Sequence, residues 1–359
     1  MNCLKFKKSI KIGGIMQIDF HFGMIYVLCR AVGIKPEISF NIARASQYVD
    51  DNRDKNPIKI EGRVVTPLVT SYDPVDVRNF TFEEGWRVWA PFHFLPAGEG
   101  KNLSERLICR PDSDSVKVTI KCYKNSRKNF LNEQYLGIIL HVIADTYSHQ
   151  GFSGFLSELN GIGDVENIEP KNHKFSNPIL DRIIIKLNTD IEKLFRVGHA
   201  LVGYRPDVPF LKWKYKPYGK HKWTKVNNPS RVYKALKKCF DIIVDAVHSL
   251  ENSQDILERQ SIDFTVVDKL FNEVKEFNKN RISKDDRLNY LYELMERNYF
   301  NCTPEGIYKK YRENSNHPFE GESNKLAEWH ISAKLHQSCV YNKVYKKIEI
   351  NFLENDISN

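Results

Sequence analysis

Leu136-Gly137-Ile138-Ile139-Leu140-His141-Val142-Ile143-Ala144-Asp145-Thr146-Tyr147-Ser148-His149 is the stretch of this 359-residue chain whose reading decides the fold. Leu136, Leu140, Val142 and Ile143 cover one side of a helix expected from about Asn132 to His149, which Gly151 then breaks. His141, Asp145 and His149 are spaced i, i+4, i+8. They drift only about 80° around a helix axis and so leave it on one side. Imidazole and carboxylate donors on one face suit first-row divalent metals: zinc first, with manganese or iron as alternatives. The plain alternative is a polar helix surface or a satisfied polar cluster. Three donors inside an otherwise apolar helix weigh against it, because unpaired polar groups there are costly.

One helix rarely completes a hydrolytic metal centre, so further donors are sought outward from it. Asp19-Phe20-His21 alternates two of them before an apolar helix, and Asp50-Asp51 ends the next one. His93 lies between bulky apolar residues in Ala90-Pro91-Phe92-His93-Phe94-Leu95-Pro96. His199 stands in Gly198-His199-Ala200, followed by Arg205-Pro206-Asp207. Singly, each has a structural use; Asp50 and Asp51 could simply cap a helix end. As a set they supply a centre of two or three ions. Arg110, in Cys-Arg-Pro-Asp-Ser, and Arg205 are candidates for bidentate phosphate pairing, with an ordinary salt bridge as the competing reading.

The rest of the chain is read more coarsely. Residues 22–34 and 37–49 pattern as helices. Residues 57–90 read as extended pieces, IKIEGRVVTPLVTSY and WRVWAPF, broken by Pro67 and Pro74. Periodicity leaves 113–127 open between strand and helix, while 151–175 reads as a loop. Helical patterning resumes at 178–197 and again, in several charged amphipathic helices, over about 230–340. The fold class expected is mainly α: a multi-helix metal-binding bundle with short extended segments around 57–95 and added C-terminal helices. Residues 1–15 are expected to be a disordered extension, 16–230 the metal-binding core, and 231–359 a C-terminal helical region packed on it or continuous with it.

Composition narrows the class further. No run approaches the roughly 18–20 apolar residues of a membrane span, and the start carries no apolar signal stretch. The seven cysteines are odd in number and scattered, with no C-x-x-C pair. That pattern leads to free thiols, a reducing compartment and a cytoplasmic location. The net charge of +9 is concentrated: from Leu211 to Phe240 there are ten Lys and Arg and no acidic residue, interleaved with Trp213, Tyr215, Tyr218, Trp223 and Tyr233. Cations with aromatics attract phosphates and stack on bases, so nucleic acid is an expected partner of 211–240, with Lys212 and Lys214 as substrate contacts. A solvated loop and helix face is the alternative.

The order of these donors resembles the zinc-dependent phospholipase C and P1 nuclease superfamily, an all-helical fold holding three metals. That resemblance implies His21, Asp50 or Asp51, His93, His141, Asp145, His149 and His199 as ligands, with Asp19 and Asp207 as additions. More closely, DFHFGMIYVLCRAVGI, ASQYVDD, PFHFLP, CRPDS, LHVIADTYSHQGFSG and GHALVGYRPDVPFLKW resemble an uncharacterised bacterial family, the DUF6765 type, over about residues 17–215. The function expected is a metal-dependent phosphoester hydrolase with a di- or trinuclear centre, Asp50 or Asp51 as general base, and a nucleotide or nucleic acid as substrate. The competing expectations are a metal-stabilised binding protein without turnover, and a phospholipase acting on a lipid phosphoester. An HD-type phosphohydrolase is set aside, since no His-Asp dipeptide occurs in the chain.

Overall fold

The computed structural model describes residues 18–53, 55–60, 63–72, 81–126, 130–171, 196–250, 253–276, 284–298, 318–319 and 321–349. A π-helical turn, Asp19–Met24, runs directly into α1 (Ile25–Val32). Gly33 ends α1 at φ +102°, where a Cβ would lie 2.2 Å from the Arg259 carbonyl oxygen, so only glycine fits. α2 (Pro36–Asp51) begins with proline in its first turn, where a missing N–H removes no hydrogen bond. The expected extended segment appears as an antiparallel pair, β1 (Ile58–Ile60) and β2 (Arg63–Val65).

The WRVWAPF segment is helical instead of extended. Phe82–Glu84 leads into a π turn, Gly85–Trp89, and then into Ala90–Phe92. Thr81 caps its start by accepting from the Glu84 N–H at 3.2 Å. A π turn does not keep the 3.6-residue period, which is why its apolar residues mimic a strand in the sequence. The segment left open at 113–127 is a helix, α3 (Asp114–Ser126).

Next comes α4 (Glu133–Ser148), the helix first read from the sequence. Asn132 caps it by accepting from the Tyr135 N–H at 2.9 Å. Every residue from Gln134 to Ser148 is buried, as befits a helix enclosed on all sides. The stretch read as a loop contains β3 (Ile162–Glu169), which pairs antiparallel with β4 (Lys212–Pro217), and β4 with β5 (Thr224–Asn227). Half-exposed edge strands carry little apolar alternation, so the sequence hides them. The chain continues through α5 (Asn228–His248), α6 (Phe264–Glu276), α7 (Lys284–Asn298) and α8 (Ser323–Cys339).

α4 packs against α2, α5 and α8. Its contact with α2 is backbone-close: a Cβ on Gly137 would meet the Ile42 carbonyl oxygen at 2.4 Å. A single apolar core runs from Phe20 to Ile348 and draws residues from both sides of position 230. A second cluster, around Trp89, Phe94, Phe152 and Trp213, seats the three-stranded sheet. Among the described residues the fold is thus mainly helical with two small sheets. No helix among the described residues is long and apolar enough to cross a membrane. The expected extension at 1–15, and all but the last two residues of the helix expected over 178–197, lie outside the described residues.

One expectation about the cysteines is overturned. Cys122 on α3 and Cys339 at the end of α8 form a disulfide, while Cys29, Cys109 and Cys239 are free and buried. Sequence spacing could not reveal a bond between residues 217 positions apart. By the chain-entropy relation, closing a loop of that length stabilises the fold by about 5 kcal/mol. The bond also anchors α8 beside His336, whose Nε2–H donates to the Pro91 carbonyl oxygen at 2.8 Å. Burial pulls the His336 imidazole down to about 4.

Two outcomes follow. Replacing Cys122 and Cys339 together by serine should lower the calorimetric Tm by roughly 5–10 °C; an unchanged Tm, or one unaffected by reductant in the wild type, would count against the bond. For His336 the unfolded chain takes up a proton from pH 6.5 downwards and the folded chain only near pH 4. Stability is therefore whole above pH 6.5 and falls as the pH drops through that window, by up to about 3 kcal/mol. Urea titrations should show His336→Gln with a shallower acid loss than the wild type.

Candidate metal centre

Five side chains from four separate segments meet on the inner face of α4. The π turn supplies His21, the end of α2 Asp50, the end of Ala90–Phe92 His93, and α4 itself His141 and Asp145. All five are buried, none more than 4% exposed. His93 Nδ1, His141 Nε2 and Asp145 Oδ2 form a triangle with sides of 3.2, 3.2 and 3.3 Å. Asp50 Oδ1 stands over it, 3.7 Å from both ring nitrogens. Tetrahedral zinc with bonds of about 2.0–2.1 Å has ligand-to-ligand edges of roughly 3.3–3.4 Å. The three triangle atoms therefore fit one divalent ion, with Asp50, which also groups with His21 and His141, within reach of it. His21 lies alongside, its ring stacked on His141 at 3.9 Å and its Nε2 3.3 Å from Asp145 Oδ1.

The hydrogen bonds behind the ligands decide which nitrogen faces the group. A carbonyl oxygen can only accept, so a ring nitrogen bonded to one carries the proton, and in a neutral imidazole the other nitrogen has the lone pair. His93 Nε2–H donates to the Thr70 carbonyl oxygen at 2.8 Å, which turns the Nδ1 lone pair toward Asp145, His141 and Asp50. Neither oxygen of Asp50, nor Oδ1 of Asp145, nor Nδ1 of His141 makes a hydrogen bond among the described residues. Leaving a buried polar group unsatisfied costs about 1–3 kcal/mol, more for a charged one. A cation among these acceptors would remove that cost for several of them at once, where a proton on Asp50 relieves only one.

A second, smaller group lies one turn further along α4. His149 Nε2 is 3.0 Å from Asp207 Oδ1, and His199 Nε2 is 3.4 Å from Asp207 Oδ2. Both imidazoles are again oriented from behind: His149 Nδ1–H donates to the His93 carbonyl oxygen at 2.7 Å, and His199 Nδ1–H to the Gly203 carbonyl oxygen at 2.9 Å. The His199 side chain is 11% exposed, so this outer group borders solvent where the inner one does not. Closed four-ligand sites are the structural type, and three protein ligands with an open position the catalytic type.

Electrostatics records the same crowding. Burial works against the Asp145 carboxylate, but the His149 and His141 rings outweigh it and hold its pKa well below the usual range. Burial first, and Asp145 next, push Asp50 well above it. Burial and the neighbouring His21 pull His141 down to about 3. His149 goes the other way, to about 9, because Asp145 and Asp207 outweigh its burial. Burial lowers His199. Neighbouring groups displaced in opposite directions are sharing too few positive charges, a pattern that marks functional sites.

Other candidates stand elsewhere. Asp51 is exposed at the end of α2, where it accepts from Gln47 Nε2 at 3.3 Å. Asp19 is buried but ion-paired with Arg287 of α7, outside both donor groups. Arg110 donates to the carbonyl oxygens of Glu99 and Glu105, and Arg205 to Asn167 Oδ1 and the Val202 carbonyl oxygen. Lys212, Lys214 and Lys216 sit opposite Glu169, Glu166 and Asp164 across the β3–β4 ladder, each pair closed at 2.8 Å. Three of the ten cations of the acid-free stretch thus find counter-charges on a neighbouring strand, and Lys238 pairs with Asp112 at 2.9 Å. Lys214 and Lys216 also lie 4.2 and 4.7 Å from the Trp223 ring. Thr70 has no sequence signal, because it acts through its backbone carbonyl. Arg287 is 268 residues from its partner Asp19.

Asp145→Ala removes the nearer of the two carboxylates that His93 and His141 share. Elemental analysis of the purified variant should find the inner ion lost, together with a fall in Tm. Full metal content in Asp145→Ala would contradict the inner group as a ligand set.

No curated protein and no solved structure matches the chain. One family model does, along nearly its whole length. Over residues 16–355 this chain belongs to DUF6765, a family of unknown function.

Proposed function

We propose that this protein is a metal-dependent hydrolase acting on a phosphoester. The observation that carries the reading is the pairing of a buried donor cluster, in which His93, His141 and Asp145 form one group and His21, Asp50 and His141 an overlapping one, with an adjacent open group, His149, His199 and Asp207. Divalent ions held there polarise a phosphoryl oxygen and lower the pKa of a bound water toward ~7. Zinc suits the mixed imidazole and carboxylate set; manganese and iron use the same donors. The distant likeness to the phospholipase C and P1 nuclease superfamily agrees with a helical scaffold carrying several ions.

The chain's own residues divide the remaining work. Asp145 holds His141 and His93 together, and the Thr70, His93 and Gly203 carbonyls keep His93, His149 and His199 aimed into the two groups. Asp50, rather than exposed Asp51, is the carboxylate near enough to serve as ligand or base. For the substrate, a small nucleotide is favoured over a polynucleotide. The β4 lysines are paired with β3 carboxylates, and only the His199 edge of the centre meets solvent. The cytoplasmic location lost its footing with the Cys122–Cys339 bond, which favours an oxidising compartment.

A metal-stabilised protein without turnover is the second reading, and the closed inner group favours it. Assaying bis(p-nitrophenyl) phosphate and nucleotide phosphoesters with zinc-loaded protein separates the two. The hydrolase reading expects turnover abolished by chelator, at least a hundredfold lower in Asp207→Ala, and nearly independent of salt. Full metal content without turnover on any phosphoester would leave the structural reading standing. Binding to single-stranded DNA that weakens steeply with salt would restore a polynucleotide partner.

A further inference from the structure

His93 belongs to both donor groups at once, through different atoms. Its side-chain Nδ1 is a corner of the inner triangle, and its carbonyl oxygen accepts from His149 Nδ1–H at 2.7 Å. Its own backbone is held by the Trp89 carbonyl oxygen, which accepts the His93 N–H at 2.9 Å. Asp145 makes a second link, with Oδ2 in the inner triangle and 3.6 Å from His149 Nδ1. The outer donors thus take their alignment from residues that the inner position must first draw together. Among the described residues no hydrogen bond runs back from the other outer donors: the His199 and Asp207 side chains meet His149, Gly203 and each other, and Asp207 reaches the inner group only through its charge on Asp50.

The two groups also differ in what holds them ready. The inner one gathers a triangle of donor atoms with edges of 3.2–3.3 Å and Asp50 Oδ1 3.7 Å from both ring nitrogens, and none of these donors is more than 4% exposed. The outer one offers three residues and opens at His199. A fuller and drier donor set binds more tightly and exchanges more slowly. A cation held by His93 Nδ1 would fix that residue, and with it the carbonyl oxygen that accepts from His149 Nδ1–H at 2.7 Å. Hydrogen-bonded partners that aim a ligating histidine are typically worth about 10–100-fold in metal affinity.

We infer that the two positions fill in a fixed order, the closed inner one first and the open outer one only on a chain whose inner position is loaded. This rests on the metal-centre reading above. The outer position then acts as the exchangeable one, so activity follows the supply of free metal while the inner ion stays with the fold. Linkage makes the coupling reciprocal: an empty outer position weakens the inner one by the same factor, though its larger donor set keeps it filled.

The test uses the full chain, stripped by chelator, re-exposed to Zn²⁺ and desalted, with bound zinc read by elemental analysis and unfolding by calorimetry. The wild type should bind two equivalents. A mild chelator should release one quickly with little change in Tm, and the second slowly with a large drop. Asp207→Ala should keep one equivalent and a near-wild-type Tm. His141→Ala, whose ring touches no outer donor, should lose both although His149, His199 and Asp207 are intact. An equivalent retained by His141→Ala with wild-type affinity overturns the order. The wild-type release curve tests the order without any variant: two equivalents leaving in one step also overturn it. A wild type that binds no zinc overturns the metal centre itself, a result distinct from failure of the order alone.

Discussion

Lone pairs converging on Asp145 set the terms for everything around them. Its Oδ2 lies 3.2 Å from both His93 Nδ1 and His141 Nε2, and His21 and His149 approach within 3.3 and 3.6 Å. In a dry interior such acceptors repel unless a proton or cation stands between them. The helix that carries Asp145 must therefore be central, so that other segments can bring donors to it. α2, α5 and α8 enclose α4, and Gly137 lets the α2 backbone come close enough to deliver Asp50. The C-terminal third is part of this arrangement: α5 and α8 flank α4, and Arg287 on α7 neutralises Asp19 two residues from His21.

The scaffold also explains why the ligands point where they do. Three of the histidines are held from behind by backbone carbonyls: that of Thr70 in an irregular segment, and those of His93 and Gly203 just after helical turns. Backbone groups at such places have no helical partner, so orienting an imidazole satisfies them as well. α8 braces the same region from outside. His336 bonds the Pro91 carbonyl and Gln337 the Arg87 carbonyl, two and six residues before His93, and the Cys122–Cys339 bond holds that end of α8 to α3.

Much of this was legible in the sequence, for a physical reason. A helix is a local object, so the i, i+4, i+8 spacing of His141, Asp145 and His149 reports their common face directly. His21, Asp50, His93, His199 and Asp207 stood out because polar donors inside apolar runs need an explanation. What was hidden depends on partners distant in the chain. Lys212, Lys214 and Lys216 look like a free basic patch until β3 supplies Glu169, Glu166 and Asp164 opposite them. Cys122 and Cys339 look like two scattered thiols until α3 meets α8. WRVWAPF reads as a strand because a π turn breaks the helical period. Asp50 and Asp51 are adjacent, and only the final turn of α2 decides that Asp50 faces inward.

Anomalous diffraction from crystals of the purified protein, collected on both sides of the zinc, iron and manganese edges, tests the central claim most directly. The account predicts one strong peak bounded by His93 Nδ1, His141 Nε2, Asp145 Oδ2 and Asp50 Oδ1, and a second, weaker one among His149, His199 and Asp207. Ordered side chains in this arrangement with no anomalous peak at any of those edges, after incubation with each metal, would contradict it.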